Sequence, residues 1–362
     1  MSLEIDHATP EGDVLIEEPD ESQLSLGSRL GSWRTVASFG LALLILGLVV
    51  FLGIKHGLSP QEVASKLSRA NWWFVLAGFV VYYLSFPLRG FRWKLLLEGA
   101  YRDSHDDRIA DMHLSGLTQI IFISWFVNCV VPAKLGDLYR AYLAKLWQHI
   151  SWVKTVGTVV AERIVDLLVL AFLLSASGLI AFHAKLGSIK IILILALALA
   201  VVGIALLASI RRLGPNIRKL IPNRFHARYQ ALEDGLVQSL TLKRLPVVVG
   251  ATIPIWLLEG LRIQFVFLAL NVSMSGITPV PYLPFLFFAL GNAVLTTIPA
   301  TPGGLGIAQS GMATVMILLG VSKSNATAVV ILDSLLSYWS IAIVGFVVYL
   351  LSKRSHFRAA TA

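Results

Sequence analysis

Two segments of this chain interrupt long hydrophobic stretches with the same pattern of proline, glycine and polar residues. Residues 132–141 read PAKLGDLYRA and residues 299–308 read PATPGGLGIA, and they share Pro, Ala, Gly, Leu and Ala at an offset of 167 positions. Asp166 and Asp333 are separated by the same offset, and both lie in apolar runs. A duplicated pair of broken, polar segments in a hydrophobic chain is typical of transporters built from internal repeats. The sequence can therefore be read as two related halves.

The composition indicates a chain that folds in a lipid bilayer. Hydrophobic residues make up 56% of the 362 residues, charged residues make up 14%, and the mean hydropathy is +0.75. Several apolar runs reach the ~20 residues that a helix needs to cross the ~30 Å hydrocarbon core. The sequence therefore predicts an all-α polytopic membrane protein. Its single cysteine, Cys129, excludes an intramolecular disulfide and a cysteine-based metal site, and we expect no metal and no other cofactor.

The charged residues are distributed unevenly along the chain. Residues 1–22 hold eight acidic residues and no Lys or Arg, whereas the net charge of the whole chain is +9. This pattern predicts an acidic, disordered cytoplasmic tail over residues 1–28 and a basic cytoplasmic tail over residues 353–362. The basic membrane region suits an anionic lipid surface better than it suits a nucleic acid.

Clusters of Lys and Arg orient the apolar runs, because such clusters favour the cytoplasmic side. Basic residues occupy residues 89–112 after the second run and fill the connection 211–244. Three apolar runs lie between these two regions, so one run must enter and leave on the same side. The run that ends at Asn128 and Pro132 is the best candidate, because a backbone break at membrane depth needs protein or a polar cavity around it. Residues 113–148 are therefore predicted to form a re-entrant hairpin.

The same count places a second hairpin, residues 282–322, on the outer side of the membrane. The predicted architecture is six full crossings plus two re-entrant hairpins in an inverted repeat, with both termini on the cytoplasmic side of the cell membrane. The first repeat covers residues 29–187 and the second covers residues 188–352. The alternative is a chain of eight or nine simple crossings, which would place one basic cluster outside the cytoplasm.

Ionisable residues inside the apolar runs are the candidates for function. Each costs about 2.5–3.5 kcal/mol at the bilayer centre, so such residues usually face the interior and mark functional sites. The competing interpretation is that they form structural ion pairs between helices. Asp333 has no cation within four residues, so its partner is expected to be Arg163 or Arg262. The candidate substrate-binding residues are Asn128, Lys134, Asp137, Arg140, Glu162, Arg163, Asp166, Glu259, Arg262 and Asp333.

A shorter similarity also relates the two halves. Residues 88–93 read LRGFRW and residues 258–263 read LEGLRI. The acid and the arginine of the second segment are three residues apart, and we expect them to pair on one helical face. Arg89 and Arg92 of the first segment are interpreted as part of the cytoplasmic loop that follows the second apolar run.

Proline and glycine residues are expected to break the two hairpins, because Pro interrupts the hydrogen bonds of a helix and Gly adopts turn conformations. The expected breakers are Pro132, Gly136, Pro299, Pro302, Gly303, Gly304 and Gly306. Broken helices expose amide groups that attract anions such as phosphate. We therefore expect the two breaks to lie next to each other near the membrane midplane.

Three motifs occur in order along the chain: FVNCVVPAKLGDLYRAYLA (126–144), VAERIVDLL (160–168) and IPATPGGLGIAQ (298–309). Together they resemble the flippase-like membrane region of lysylphosphatidylglycerol synthases and its stand-alone relatives. The resemblance runs from about residue 36 to about residue 352. It implies an integral inner-membrane protein that moves or binds a lipid with a charged headgroup.

The resemblance carries the family's motif positions over to many of the candidate residues. They are Asn128, Pro132, Gly136, Asp137, Arg140, Glu162, Arg163, Asp166, Pro299, Pro302, Gly303, Gly304 and Gly306. One position departs from the family pattern, because Gln309 stands where the family usually has Glu, and this implies a different lipid. The family's aminoacyl-transferring domain is absent from the sequence, so we expect no synthesis of aminoacylated lipid.

The sequence thus predicts a flippase or scramblase that moves a lipid with a charged, phosphate-bearing headgroup. Arg140, Arg163 and Arg262 would donate forked hydrogen bonds to the phosphate, and the buried acids would neutralise them in the empty site. The expected partners are a membrane phospholipid or polyprenyl-phosphate-type lipid, and either a second copy of the chain or a lipid-synthesis enzyme. The alternatives are a secondary transporter of small molecules or ions, and a non-catalytic scaffold of a lipid or glycan synthesis complex. An enzyme is disfavoured because the sequence lacks the motifs of lipid-phosphate chemistry.

Overall fold

Every element that the computed structural model describes is helical. The described residues are 40, 44, 47–48, 51, 54–55, 57–102, 109, 112–131, 135–183, 186–272, 282–297 and 301–360, with the backbone alone at 207, 210–220, 302 and 353–360. The helices are α1 (Pro60–Ser68), α2 (Trp72–Ala100), α3 (Leu114–Val130), α4 (Gly136–Gln148), α5 (Trp152–Ala181), α6 (Leu186–Leu220), α7 (His226–Ser239), α8 (Leu245–Ala269), α9 (Leu283–Leu295), α10 (Ile307–Leu318), α11 (Lys323–Ser334) and α12 (Ser340–Ala360). Short 3-10 turns occupy Asn223–Phe225 and Pro302–Gly304, and a π-helical segment, Leu335–Trp339, joins α11 to α12.

Five helical stretches in the described residues are long and apolar enough to cross a membrane. They are Trp72–Ala100, Trp152–Ala181, Leu186–Leu206, Leu245–Ala269 and Lys323–Ser352. The predicted all-α polytopic membrane protein is thereby confirmed. Most of the predicted first crossing, at about residues 35–55, lies outside the described residues, although the described positions between 40 and 55 are helical.

Local sequence explains where several helices begin. The side-chain oxygens of Ser59, Ser151 and Ser322 each accept a hydrogen bond from the backbone N–H three residues later. These caps satisfy amide groups that would otherwise have no partner at the first turns of α1, α5 and α11. Ser151 and Ser322 open the last long helix of each half, so the halves use the same start signal.

The same order of elements occurs in each half. A short helix (α1 or α7) precedes a long one (α2 or α8), which is followed by two shorter helices and another long helical stretch. Gly90 of α2 lies against Thr118 of α3, and a Cβ there would come within 2.8 Å of the threonine Oγ1. Gly260, its equivalent in α8, lies against Leu286 of α9, where a Cβ would come within 3.0 Å of the leucine Cα. Equivalent glycines therefore make equivalent helix contacts in the two halves.

The helix α2 extends further than its sequence indicates. Arg89 and Arg92 were expected in a cytoplasmic loop, but α2 continues through Pro87 and both arginines to Ala100. Both side chains are buried, with residue exposures of 6% and 0%. The loop interpretation of these two arginines is wrong, because ion pairs with distant helices compensate the cost of burying their charge.

Both predicted hairpins contain a break between two short helices. The first break separates α3 from α4, and the second separates α9 from α10. Gly303, Gly304 and Gly306 adopt positive φ angles of 58°, 74° and 86°, which glycine tolerates without a Cβ clash. Pro302 opens the 3-10 turn of this break. Pro132, Lys134 and Pro299 lie outside the described residues.

Gly136 starts α4 in a close contact with α3. Its N–H donates to Asn128 Oδ1 at 2.9 Å, and its carbonyl accepts from Ser124 Oγ at 2.9 Å. A Cβ at this position would collide with the backbone carbonyl of Ser124. The Asn128 and Ser124 side chains therefore hold the two arms of the first hairpin together, and only glycine fits between them.

Candidate functional site

Buried ion pairs join the helices of the first half near their middle. Arg92 of α2 contacts both carboxylates that sequence spacing places on one face of α5. Its Nη2 lies 2.7 Å from Glu162 Oε1, and its Nη1 lies 2.5 Å from Asp166 Oδ1. Arg140 of α4 contacts the other oxygen of Glu162 at 2.9 Å, and its guanidinium stacks over Trp93, 4.7 Å from the ring centre. One carboxylate thus connects α2, α4 and α5.

A corresponding set of ion pairs lies in the second half. Arg262 Nη2 is 3.0 Å from Glu259 Oε2, as the three-residue spacing predicts, and Arg262 Nη1 contacts Asp333 Oδ1. Of the two partners expected for Asp333, the structure selects Arg262. The other oxygen of Glu259 lies 2.7 Å from Nη2 of Arg89, so α2 and α8 are joined through this carboxylate.

These contacts follow the internal repeat. Arg92 and Arg262 are equivalent positions of LRGFRW and LEGLRI, and each pairs with the equivalent acid, Asp166 or Asp333. Arg89 and Glu259 are also equivalent to each other, and they form a pair with each other. The pair of Arg89 with Glu259 thus joins α2 to α8 through positions that the two motifs align.

Arg163 differs from the other arginines of the cluster in its exposure. Its side chain is 39% exposed, whereas those of Arg92 and Arg262 are 1% and 3% exposed. Arg163 contacts Asp137 at 3.1 Å and Asp166 at 3.5 Å. One side of its guanidinium therefore contacts acids and the other side is accessible. An anionic group can approach the accessible side.

A cavity of about 440 Å³ lies between the two halves and borders the ion pairs. Its charged lining residues are Arg89, Asp137, Arg163, Asp166, Glu259 and Arg262. Its neutral polar lining residues are Asn128, Asn292, Thr296, Thr297, Gln309 and Ser337. Tyr82, Trp125, Trp256 and Tyr338 add aromatic surface, and several aliphatic side chains complete the wall. Its volume falls within the range of about 300–1,000 Å³ that is usual for small-ligand sites.

A second, much smaller cavity adjoins the first. It has a volume of about 30 Å³, and Asp333 and Ser334 line it. Asn292, Gln309 and Ser337 line both cavities. Gln309, which stands in place of the expected Glu, accepts from the Gly306 N–H at 2.7 Å and thereby caps the start of α10. A cavity of this size and polarity is large enough to hold a water molecule.

The two helix breaks lie next to each other beside the large cavity. The Tyr338 hydroxyl donates to the carbonyl of Cys129 at the end of α3, at 2.6 Å. Gly303 packs on the ring of Tyr338, where a Cβ would come within 2.5 Å of Cε2 and within 3.7 Å of the Asn128 carbonyl oxygen. The Tyr82 hydroxyl donates to the carbonyl of Ser337 at 2.9 Å. The π-helical segment is thus attached to both halves at the point where the breaks meet.

The structure brings most of the predicted site residues to one place. Asn128, Asp137, Arg163, Asp166, Glu259 and Arg262 line the large cavity. Glu162 and Arg140 contact this group of residues but do not line the cavity, and Asp333 lines the small one. Sequence reasoning assigned Arg140 a contact with the headgroup, yet its charge is buried against Glu162 and Trp93.

Sequence reasoning missed two charged residues and most of the neutral lining. Arg89 and Arg92 could have been found from LRGFRW, because it aligns them with Glu259 and Arg262. The neutral residues at 292, 296 and 297 carry no such signal, since hydroxyl and amide side chains are common in apolar helices. The aromatic lining residues Tyr82, Trp125, Trp256 and Tyr338 also carry no sequence signal, since aromatic residues are common in apolar helices.

Comparison with known proteins places the chain among membrane proteins. A family model described as the lysylphosphatidylglycerol synthase TM region matches residues 36–345. A UPF0104 membrane protein of Methanocaldococcus jannaschii is 34% identical over 237 residues, which cover 64% of this chain and 95% of that relative. A UPF0104 membrane protein of Pyrococcus horikoshii is 23% identical and is covered over 97% of its length. The glycosyltransferase AglD of Haloferax volcanii is 29% identical over 86% of this chain, which spans only 53% of AglD.

Proposed function

The chain belongs to the family of the lysylphosphatidylglycerol synthase transmembrane region, and from this premise we propose that it moves a charged lipid across the cell membrane. Specifically, it acts as a flippase or scramblase for a lipid whose headgroup carries a phosphate. The observation that carries this proposal is the cavity of about 440 Å³ between the halves, which combines charged and apolar lining at the level of helix centres. The proposed role is transport without chemical change of the lipid.

The depth of the charges supports a headgroup path. Asp166 lies at the middle of the 30-residue α5, and Glu259 lies at the middle of the 25-residue α8. Ionisable residues at such depth usually mark the route of a polar substrate. A lipid headgroup could occupy the cavity while its tails remain in the bilayer.

The ion pairs suggest how the site stays stable when it is empty. Each arginine on the cavity already contacts a carboxylate, so no guanidinium is left buried without a partner in the absence of ligand. An incoming phosphate competes for Arg163, whose exposed side offers forked N–H donors. Asp137 and Asp166 take the arginine back when the headgroup leaves. Exchange of partners of this kind keeps the cost of desolvating the charges low throughout passage.

The proposed membrane topology is an inverted repeat with two re-entrant hairpins. The apolar helices α3, α9 and α10 have 17, 13 and 12 residues, and the last two are too short to cross ~30 Å of hydrocarbon at ~1.5 Å per residue. Helix–break–helix pairs at 113–148 and 282–322 would therefore enter and leave on one side each. The basic connection 211–244 and both termini would face the cytoplasm.

A reconstitution assay tests the proposed transport. The purified chain is placed in liposomes with acyl-labelled reporter lipids, and movement is measured as loss of protection from a quencher added outside. Arg163→Ala should slow movement about tenfold, since hydrogen bonds to charged groups contribute about 1.5–3 kcal/mol. Arg69→Ala is the matched control, because Arg69 is exposed at the end of α1, and its rate should equal wild type.

The same assay separates the alternatives. A wild-type rate equal to that of empty liposomes for phospholipid and polyprenyl-phosphate reporters alike would refute lipid transport and favour a scaffold. Uptake of a water-soluble solute without lipid movement would instead favour a secondary transporter. Equal rates for Arg163→Ala and wild type would remove Arg163 from the headgroup path.

A further inference from the structure

We propose that the headgroup bound in the large cavity is a phosphate-linked polyol, such as a sugar, inositol or glycerol. This inference rests on the proposed function of the same site and adds the chemical class of its ligand. It follows from the division of the cavity lining into two sets. The charged set is Arg89, Asp137, Arg163, Asp166, Glu259 and Arg262, and the hydroxyl–amide set is Asn128, Asn292, Thr296, Thr297, Gln309 and Ser337.

The two sets come from different elements. The charged set belongs to α2, α4, α5 and α8. The hydroxyl–amide set belongs to α9, the residues that follow it, α10 and the π-helical segment, except for Asn128 of α3, whose amide oxygen already accepts from the Gly136 N–H. A ligand that fills the cavity therefore meets formal charge from one group of helices and neutral hydrogen-bonding groups from another. A headgroup with a phosphate and an uncharged polar part matches this division.

The acids of the charged set are already paired. Asp137 contacts Arg163, Asp166 contacts Arg92 and Arg163, and Glu259 contacts Arg89 and Arg262. An ammonium headgroup would therefore find no carboxylate without a cation partner among the described residues of the lining. The arginines of the lining are paired as well, so a preference between headgroups that share a phosphate must come from the neutral polar residues.

The hydroxyl–amide set has the hydrogen-bonding capacity that alcohols need. Thr296 and Thr297 donate their hydroxyl protons to the carbonyls of Ala293 and Val294 at 2.8 and 2.6 Å. Ser337 donates to the carbonyl of Asp333 at 2.8 Å. Because these protons are committed to the backbone, the oxygen lone pairs remain to accept hydrogen bonds from a ligand.

The carboxamides complete this set with donors. Asn292 carries two N–H groups and a carbonyl oxygen, and it lines the large cavity. Gln309 also lines it, but its oxygen accepts from the Gly306 N–H and its Nε2 donates to Ser334 Oγ at 3.4 Å, so it offers its second N–H. An alcohol group donates one hydrogen bond and accepts others, so neighbouring hydroxyls of a polyol can use both kinds of partner. The aromatic rings of Trp125 and Trp256 add flat apolar surface, on which the C–H face of a sugar or inositol ring can pack.

Transport of matched lipids tests the ligand class. Phosphatidylinositol, phosphatidylglycerol and phosphatidylethanolamine with identical labelled acyl chains share the phosphate and differ only in the group attached to it. Wild-type protein should move the two polyol lipids at least about tenfold faster than the ethanolamine lipid, which corresponds to about one or two additional hydrogen bonds. Equal rates for the three lipids would overturn the polyol inference while leaving lipid transport standing.

A double variant tests the residues. Thr296→Val with Thr297→Val removes both hydroxyls and keeps the branched shape, and should abolish the preference for polyol lipids without slowing the ethanolamine lipid. Thr314→Val is the matched control, because Thr314 is exposed on α10 and donates to a backbone carbonyl in the same way. Retention of the polyol preference in the double variant would contradict the assignment of these two hydroxyls.

A binding measurement keeps the inference testable if no lipid moves. Calorimetric titration of the detergent-solubilised full chain compares glycerol phosphate and inositol phosphate with phosphoethanolamine. Tighter binding of the polyol phosphates, weakened in the threonine double variant, supports the polyol site independently of transport. Equal binding of all three phosphates, or binding of none, would exclude it.

Discussion

The two halves of the molecule share one set of ion pairs and differ in another. Arg92 with Asp166 in the first half corresponds to Arg262 with Asp333 in the second. The first half has a further set of charges at positions 137, 140, 162 and 163, where the second half has Gly304, Ile307, Val329 and Val330. The shared pairs lie at the core of both halves, whereas the additional charges include the exposed Arg163. We expect the shared pairs to maintain the fold, and the exposed Arg163 to provide a contact with the ligand that only the first half has.

The largest expected effect is the loss of a shared arginine. Arg92→Ala removes the fully buried partner that Glu162 and Asp166 share and leaves Asp166 only the more distant Arg163. Removal of one member of a buried pair costs about 3–5 kcal/mol. Arg262→Ala should cost a similar amount, because it strands Glu259 and Asp333 in the same way. Equilibrium unfolding of the purified variants in a denaturing detergent measures both. If either variant were as stable as wild type, Arg92 and Arg262 would not have equivalent structural roles in the two halves.

The ion pair between Arg89 and Glu259 offers a test by exchange of the two residues. Arg89→Glu alone places a carboxylate opposite Glu259 and should destabilise the protein by about 3–5 kcal/mol. Combining it with Glu259→Arg should restore at least half of that loss, because the two positions are equivalent in the repeat. A double-mutant cycle on the free energy of unfolding gives the coupling between them. A double variant that is no more stable than Arg89→Glu alone would show that positions 89 and 259 have different surroundings.

Arg163→Ala should slow lipid movement while changing the stability of the fold only slightly. Its half-exposed ion pairs are expected to contribute no more than about 1 kcal/mol to stability, while lipid movement falls about tenfold. Arg140→Ala should lower the free energy of unfolding and leave the rate of lipid movement nearly unchanged. Arg140 is buried against Glu162 and does not line the cavity. Transport rate and unfolding free energy are measured on the same preparations. Similar changes in both variants would contradict the separate roles of the exposed Arg163 and the buried Arg140.

The smallest expected effect concerns the contact between the two breaks. Tyr338→Phe removes the hydrogen bond to the Cys129 carbonyl and keeps the ring on which Gly303 packs. We expect a loss of about 1 kcal/mol in unfolding free energy. Tyr83→Phe, which removes a hydroxyl bonded to Ser340 outside the breaks, is the control for losing a hydrogen bond in this region. A larger loss of unfolding free energy in Tyr83→Phe than in Tyr338→Phe would show that the contact between the breaks is no more stabilising than an ordinary hydrogen bond.

Much of the fold could be predicted from the sequence. The apolar runs and the offset of 167 residues predicted a helical membrane protein with two related halves, and spacing on α5 placed Glu162 and Asp166 on one face. These signals are local or periodic. The breaks between α3 and α4 and between α9 and α10 could also be predicted, because proline and glycine have the same conformational effect wherever they occur.

The location of Arg89 and Arg92 could not be predicted from the residues next to them. A positive charge after an apolar run and a proline usually marks a helix end at the membrane surface, yet Arg89 and Arg92 continue a helix. Their compensating acids lie 170 and 70–74 residues away in sequence, so nothing near them signals burial. The lining at Asn292, Thr296 and Thr297 depends in the same way on which helices pack together. Only tertiary structure brings these residues to one cavity.

The pair of Arg89 with Glu259 also bears on how the sequence can vary. The two residues lie 170 positions apart, one in each of the two aligned motifs, and both are buried. Loss of either charge would leave the other buried without this partner, which is costly. We therefore expect residues 89 and 259 to change together among relatives rather than one at a time.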